Sequence, residues 1–349
     1  MRAPPEGLDA AAVANAVASG WGLPVAGLRY APLGGGSHHW SAAVPGGARY
    51  FLTVDDLLDK PWIGADTETS FRGLNAAFRA ARELRERAGL SFVLAPLPAL
   101  DGQAVRRLTP RHSLSVFPYV EGETGHWGED LRPGRRDQIL RLIATLHDAT
   151  PSAWSLVRPR RSEVYERAVL EAALRELDQP WDGGPFAEPA RRALAARAGD
   201  VTELLSEFDR LAAHVASRDA APVVTHGEPH GGNIMRVGGE LVLIDWDTVA
   251  LAPAERDLWM LDDRTAGSLA AYTDATGRTA DTMALRYYRV AWRLADLASF
   301  TRELRSAHRR DGNTEHAWAS LQIVLGNDPA GRGQPYRYVS RESPGQRQR

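Results

Sequence analysis

Apolar positions change their spacing part-way along this chain of 349 residues. Residues 8–19 carry Ala, Val and Leu at helical spacing and stop before Gly20, which predicts a short helix. Residues 28–33, 39–44 and 49–54 instead read as three strands. Gly34-Gly35-Gly36 and Pro45-Gly46-Gly47 separate them, which predicts an antiparallel meander. Phe71, Leu74, Phe78, Ala81 and Leu84 then mark one apolar stripe on a helix over 69–88, and Gly89 stands where such a helix ends. Two further strand-like runs follow at 104–108 and 114–120.

From Arg132 the spacing becomes helical. Ile139, Leu142, Ile143 and Leu146 form one stripe, 164–177 holds another, and 191–216 reads as one long helical stretch. A strand interlude spans 222–245, helices return near Arg256, and 283–305 is long and amphipathic. The tail from Gly331 is rich in Pro, Gly, Gln, Arg and Ser and is expected to be disordered. The pattern predicts an α+β chain: a β-rich N-lobe over 1–120 (antiparallel sheet plus helix), a helical C-lobe over 121–330, and a tail over 331–349. The boundary falls near Glu121-Gly122.

Composition narrows the function classes. Net charge is −2 without a basic stripe, which argues against a nucleic-acid partner. No cysteine is present, so disulfides, thiolate nucleophiles and Cys-type zinc sites are excluded. The N-terminal residues lack an apolar signal core and no run of ~18 apolar residues occurs, so a cytoplasmic protein without membrane contact is expected. The basic residues are arginine with a single exception, Lys60.

The densest polar cluster is Thr225-His226-Gly227-Glu228-Pro229-His230-Gly231-Gly232-Asn233, following the short apolar strand Val223-Val224. Beyond it, Ile234 to Val237, a Gly238-Gly239 turn, and Leu241 to Ile244 form a candidate hairpin ending at Asp245-Trp246-Asp247. That hairpin would set the loop beside Asp245. A carboxylate, an amide five residues on and a second carboxylate past a hairpin suit phosphoryl transfer. The first carboxylate orients a nucleophilic hydroxyl, while the amide and the second carboxylate hold Mg²⁺ through hard oxygen ligands. Two other readings stay open here: a polar turn joining core strands, and a Zn²⁺ or Fe²⁺ site built from His226, Glu228 and His230.

The loop resembles the H-G-D-x-H-x-x-N segment of the aminoglycoside phosphotransferase family, and Ile244-Asp245-Trp246 resembles its metal motif. The run Asp245-Trp246-Asp247-Thr248, Ala252-Pro253, Glu255-Arg256-Asp257-Leu258 is similar to the spectinomycin phosphotransferase branch. The resemblance implies a two-lobed protein-kinase-like fold and an ATP- or GTP-dependent, Mg²⁺-dependent phosphotransferase. Its acceptor would be a hydroxyl of an aminoglycoside, aminocyclitol or related small molecule. It also implies that Glu228 is the catalytic carboxylate, that Asn233 and Asp245 are the metal ligands, and that His226 and Asp257 are structural. The alternative is a nucleotide-binding pseudokinase with a regulatory or scaffolding role.

Nucleotide-binding candidates follow from the same resemblance. Gly34, Gly35, Gly36 and Ser37 lie where a phosphate-covering loop would sit, though three glycines also make a plain hairpin turn. Pro118 and Tyr119, within Phe117 to Val120, are the adenine-hinge candidates, with an ordinary strand end as the alternative. Two positions depart from the family. Thr53 stands where the third strand usually carries the phosphate-contacting lysine, and Glu228 stands for the usual Asp. Lys60 is near enough to reach in from a loop, but a surface lysine is the expected reading. Amines on the acceptor would meet carboxylates of the helical lobe; Asp262 and Asp263 are candidates, with a solvated helix end as the stronger reading.

Overall fold

The meander opens a five-stranded antiparallel sheet in the computed structural model, which describes residues 1–326 apart from 2, 3, 6, 127, 129, 130, 161 and 162. The expected disorder from Gly331 lies outside the described residues.

Asp9 caps α1 (Ala10–Trp21) by accepting from the Ala12 N–H, and Gly22 closes it at φ 68°. The helix therefore runs past the predicted stop at Gly20, which is packed against the Arg106 side chain; the left-handed turn falls at Gly22. β1 (Gly27–Ala31), β2 (His38–Ala43) and β3 (Arg49–Asp56) form the meander. β3 continues beyond Val54 because a later strand pairs with it as far as Asp56 opposite His112. A capping box of Asp66 and Thr69 starts α2 (Thr67–Glu86), and Gly89 follows in the left-handed region at φ 70°. The predicted strand at 104–108 shrinks to β4 (Arg106–Arg107), an edge piece on β5 (His112–Pro118). The sheet order is β1-β2-β3-β5-β4.

Strand alternation divides the side chains of this sheet between two faces. Trp40, Leu52, Val54, Leu114 and Val116 pack with Val13, Val17 and Trp21 of α1. Phe51, Thr53 and Asp55 alternate with them and take the opposite face, where Phe51 packs against the main core.

After Pro118 the chain crosses to the helical part. Gly122 passes so close to residues 234–237 that a Cβ would lie 2.6 Å from the Arg236 carbonyl oxygen. β6 (Glu123–Thr124) follows, then α3 (Pro133–Asp148), α4 (Thr150–Ala153), α5 (Arg167–Arg175), α6 (Ala187–Ala195) and α7 (Ala198–Ser217). The long helix predicted over 191–216 is thus two helices. The break near Arg197 lets α6 reach two later helices, Thr282–Arg305 and Gly312–Val324, while α7 lies along the first of them. Next come β7 (Val223–Thr225), a 3₁₀ turn (Gly231–Asn233), β8 (Ile234–Val237), β9 (Glu240–Leu243) and β10 (Ala250–Ala252). α8 (Glu255–Leu258), α9 (Ala270–Thr276), α10 (Thr282–Arg305) and α11 (Gly312–Val324) complete the described chain. α10 is the spine, burying Leu294, Leu297, Ala298 and Thr301 among α5, α6, α7, α8 and α11. β7 pairs with β10 rather than with the hairpin, and β8 pairs with both β9 and β6.

Candidate active site

The loop 226–230 leaves β7 and is held from beneath by one carboxylate. Asp257 is fully buried and accepts hydrogen bonds from the backbone N–H of His226 (2.9 Å) and Gly227 (2.6 Å) and from Nε2 of His147 (3.0 Å). The Tyr272 hydroxyl meets Nδ1 of His147 at 2.8 Å. Burial alone would raise the Asp257 pKa; the His147 bond and the Arg256 charge outweigh it, and the pKa is lowered. Arg256 closes the base of the loop, donating to Thr225 Oγ1 (2.7 Å) and the Thr248 carbonyl (2.7 Å). Gly227 passes over that guanidinium at φ 101°, where neither the backbone angle nor the space admits a Cβ.

His226 is a structural member of the loop. Its Nε2–H donates to the Ile244 carbonyl (2.9 Å) and its Nδ1 accepts from the Glu228 N–H (3.2 Å). Burial keeps the ring neutral, with a pKa lowered to about 4. His230 Nδ1 accepts from the Gly232 N–H (3.1 Å). These bonds overturn the Zn²⁺ or Fe²⁺ alternative at His226, Glu228 and His230. The segment is a loop rather than a strand, and the His226 ring nitrogens both face backbone groups. Among the described residues no group of three or more His, Cys, Asp or Glu side chains could hold a metal ion.

The β8–β9 hairpin turns at Gly238 and Gly239, both with positive φ, and returns the chain beside the loop. The Ile244 N–H donates to the Asn233 carbonyl (3.0 Å), and Asn233 Nδ2 donates to the Glu228 carbonyl (3.0 Å). Glu228, Asn233 and Asp245 are thereby tied to one floor. Asp245 adopts φ 66°, a left-handed conformation that aspartate tolerates better than most residues. The turn sends Trp246 into the core, with its indole N–H on the Leu243 carbonyl (2.9 Å), and leaves Asp245 open to the cleft.

Glu228 is half-buried, and its pKa is raised, first by desolvation in the cleft and then by repulsion from Asp245 and Asp247. The Asp245 carboxyl is likewise pushed up to about 7 by surrounding protein and by Asp247, against the pull of Lys60. Solvent reaching Asp245 screens part of that repulsion. The donor set suits a small divalent cation. Asn233 spends its N–H on Glu228 and keeps its carbonyl oxygen as a ligand atom. Asp245 adds a hard carboxylate, and positive charge there would relieve the crowding of acids.

Lys60 is a correction to the sequence reading: it is 1% exposed, not a surface lysine. Its Nζ lies 2.6 Å from Asp247 Oδ2, 3.0 Å from Asp55 Oδ1 and 3.2 Å from Ser37 Oγ. Ser37 Oγ also donates to Asp55 Oδ1 (2.6 Å), and Asp55 Oδ2 is buried without a hydrogen-bond partner. The sequence did hold a signal, since an arginine-rich chain keeps its single lysine at this position. Asp55 carried no signal of its own.

The other candidates distribute as follows. Gly34, Gly35 and Gly36 form an exposed bend, with only Gly34 at positive φ (62°), and Ser37 joins it to the Lys60 cluster. Thr53 is buried on the β3 face shared with Asp55, its Oγ1 3.2 Å from His39 Nδ1. Pro118 ends β5, and Tyr119 lies under the Arg49 guanidinium, 3.6 Å from its ring centre. Asp262 and Asp263 form ion pairs within the helical part, with Arg289 (3.4 Å) and Arg136 (2.6 Å). The acidic residue of α10 that bears on Glu228 is Asp296.

Residues 41–293 match the model of the phosphotransferase enzyme family, APH. Protein StrN of Streptomyces griseus is 30% identical over 266 residues, which cover 73% of this chain and 79% of that protein. The structure of spectinomycin phosphotransferase APH(9)-Ia with ADP and spectinomycin superposes with a TM-score of 0.70 at 16% identity, covering 93% of this chain and 99% of that one. Amicoumacin kinase hAmiN with AMP-PNP, Ca²⁺ and Ami gives 0.60 at 12% identity, covering 92% and 95%. The two structures share the two-lobed, protein-kinase-like α+β fold with this chain.

Proposed function

The chain belongs to the phosphotransferase enzyme family, and on that premise we propose that it transfers the γ-phosphoryl group of ATP to a hydroxyl of a small polyhydroxylated molecule of aminoglycoside or aminocyclitol type. The observation that carries this reading is the shared floor of Glu228, Asn233 and Asp245, locked by the Asn233–Glu228 and Ile244–Asn233 hydrogen bonds. Adenine nucleotides accompany the spectinomycin phosphotransferase and amicoumacin kinase structures, which favours ATP over GTP.

Asn233 and Asp245 would hold Mg²⁺, which when bound screens the phosphate charge and aligns the transferred group. Glu228 orients the acceptor hydroxyl and takes its proton as transfer proceeds. Gly34, Gly35, Gly36 and Ser37 cover the phosphates, and Pro118 and Tyr119 border the adenine. Asp257 and Arg256 act through the loop they hold. The pseudokinase alternative drew on Thr53 alone, and neither the family match nor the kinase neighbours support it. Among the described residues no helix is long and apolar enough to cross a membrane.

The test is phosphoryl transfer from γ-labelled ATP or GTP, with Mg²⁺, to a panel of aminocyclitols, aminoglycosides, macrolides and simple polyols. An acceptor gaining one phosphoryl group on oxygen is the expected result. Absence of both nucleotide binding and transfer across the panel would overturn the reading.

A further inference from the structure

At the place of the usual strand lysine, β3 offers no cation to a nucleotide. Thr53 is neutral and its hydroxyl meets His39. Two arginines around the site have other partners: Arg256 donates both arms beneath the loop, and Arg49 covers Tyr119 and pairs with Glu121. Transfer of a phosphoryl group still calls for fixed positive charge at the non-transferred phosphates. We propose that Lys60, entering from the turn after β3, is the phosphate-contacting cation of this chain and replaces a strand lysine. This deepens the proposed phosphotransferase reading and rests on it.

Position comes first. The Lys60 ammonium touches Ser37, at the end of the glycine bend, and Asp247, two residues past the proposed metal ligand Asp245. It therefore stands on the seam between the loop that would cover the phosphates and the carboxylates that would hold their metal ion. The turn that delivers it is built as a strut. Leu57 is buried and its N–H donates to the Arg111 carbonyl (2.9 Å). The N–H groups of Ile63 and Gly64 both donate to the Lys60 carbonyl. Gly64 packs on the Ser70 backbone with no space for a Cβ. The helical part grips the same turn: the Tyr165 hydroxyl donates to the Trp62 carbonyl (3.2 Å), and Arg302 pairs with Asp59 (3.6 Å).

Chemistry comes second. Burial disfavours a charged ammonium, but Asp247, Asp55 and Asp245 outweigh it, so Lys60 stays protonated. A compact ammonium with three rotatable donors can exchange one partner for another, which a planar guanidinium does less well. Lys60 gives its Asp247 bond to a phosphate oxygen and keeps Ser37 and Asp55. The residue thus becomes a relay between an ion pair across the cleft and a contact to nucleotide.

The experiment compares wild type, Lys60→Met, Lys60→Arg and the double variant Asp55→Asn/Lys60→Met. Affinities for Mg-ATP and Mg-ADP are measured by calorimetry, and that for adenosine by competition. Loss of one charge-assisted contact should weaken Mg-ATP binding by roughly 10–100-fold. Adenosine, which has no phosphate, should bind all folded forms alike. Should Lys60→Met fail to fold, the double variant removes both members of the buried Lys60–Asp55 pair and carries the same comparison, with Lys60→Arg as the charged control. Equal losses for ATP and adenosine would make Lys60 a structural tie and overturn the proposal, as would unchanged ATP affinity. Wild type that fails to bind nucleotide would sink the phosphotransferase reading itself. Wild-type turnover with an unaffected Lys60→Met variant would sink this inference alone.

Discussion

Replacing Asp257 by Asn tests what holds the loop 226–230. The carboxylate accepts three hydrogen bonds: Oδ1 from Gly227 N–H, and Oδ2 from His226 N–H and His147 Nε2. An amide has one accepting oxygen. In its better orientation the oxygen serves His226 and His147, and the NH₂ confronts the Gly227 N–H. That leaves a buried donor unsatisfied, at about 1–3 kcal/mol. The two remaining bonds lose charge assistance, about 1 kcal/mol each. The sum is about 3–5 kcal/mol, a large share of the ~5–15 kcal/mol that holds a typical protein folded. Urea unfolding of wild type and Asp257→Asn reads the difference, and amide exchange at Gly227 locates it. A loss below about 0.5 kcal/mol, with Gly227 still protected, would mean that the carboxylate does not carry the loop.

Four other substitutions have defined outcomes. Glu228→Gln should lower single-turnover transfer by ~10²–10⁴-fold with little change in nucleotide affinity, and a variant as fast as wild type would remove Glu228 from the mechanism. Glu228→Asp should also be slower, because the shorter side chain retreats by ~1 Å from a loop built around glutamate; faster transfer would refute that fit. Gly227→Ala places a Cβ on the Arg256 guanidinium at φ 101° and should cost about 2 kcal/mol or more, read as a lower urea midpoint. His226, with a folded pKa of about 4 against ~6.5 unfolded, stabilises fully above pH 6.5, and up to about 3 kcal/mol is lost as pH falls towards 4. His226→Gln should flatten urea stability over that window; an unchanged slope would show that His226 is not the titrating group.

Local pattern alone determined much of this protein. The three-strand meander follows from short apolar runs between glycine breaks, and α10 follows from a long helical period. That the loop 225–233 lies beside the Ile244-Asp245-Trp246 run was legible because a single hairpin joins them, so chain connectivity sets their proximity. The extent of β3, the split at Arg197 and the β7–β10 pairing were not legible, since each depends on a partner distant in sequence. The same holds for charge. By its position in the sequence Lys60 was expected at the surface, and only the packing of the post-β3 turn against Tyr165 and Arg302 carries it between Asp55 and Asp247. Asp257 and His147 are 110 residues apart, yet they form one buried hydrogen bond beneath the loop. Sequence spacing prescribes which groups a turn or hairpin brings together. Burial and the long-range contacts that create it decide which of those groups stay charged, which become neutral, and which face the cleft.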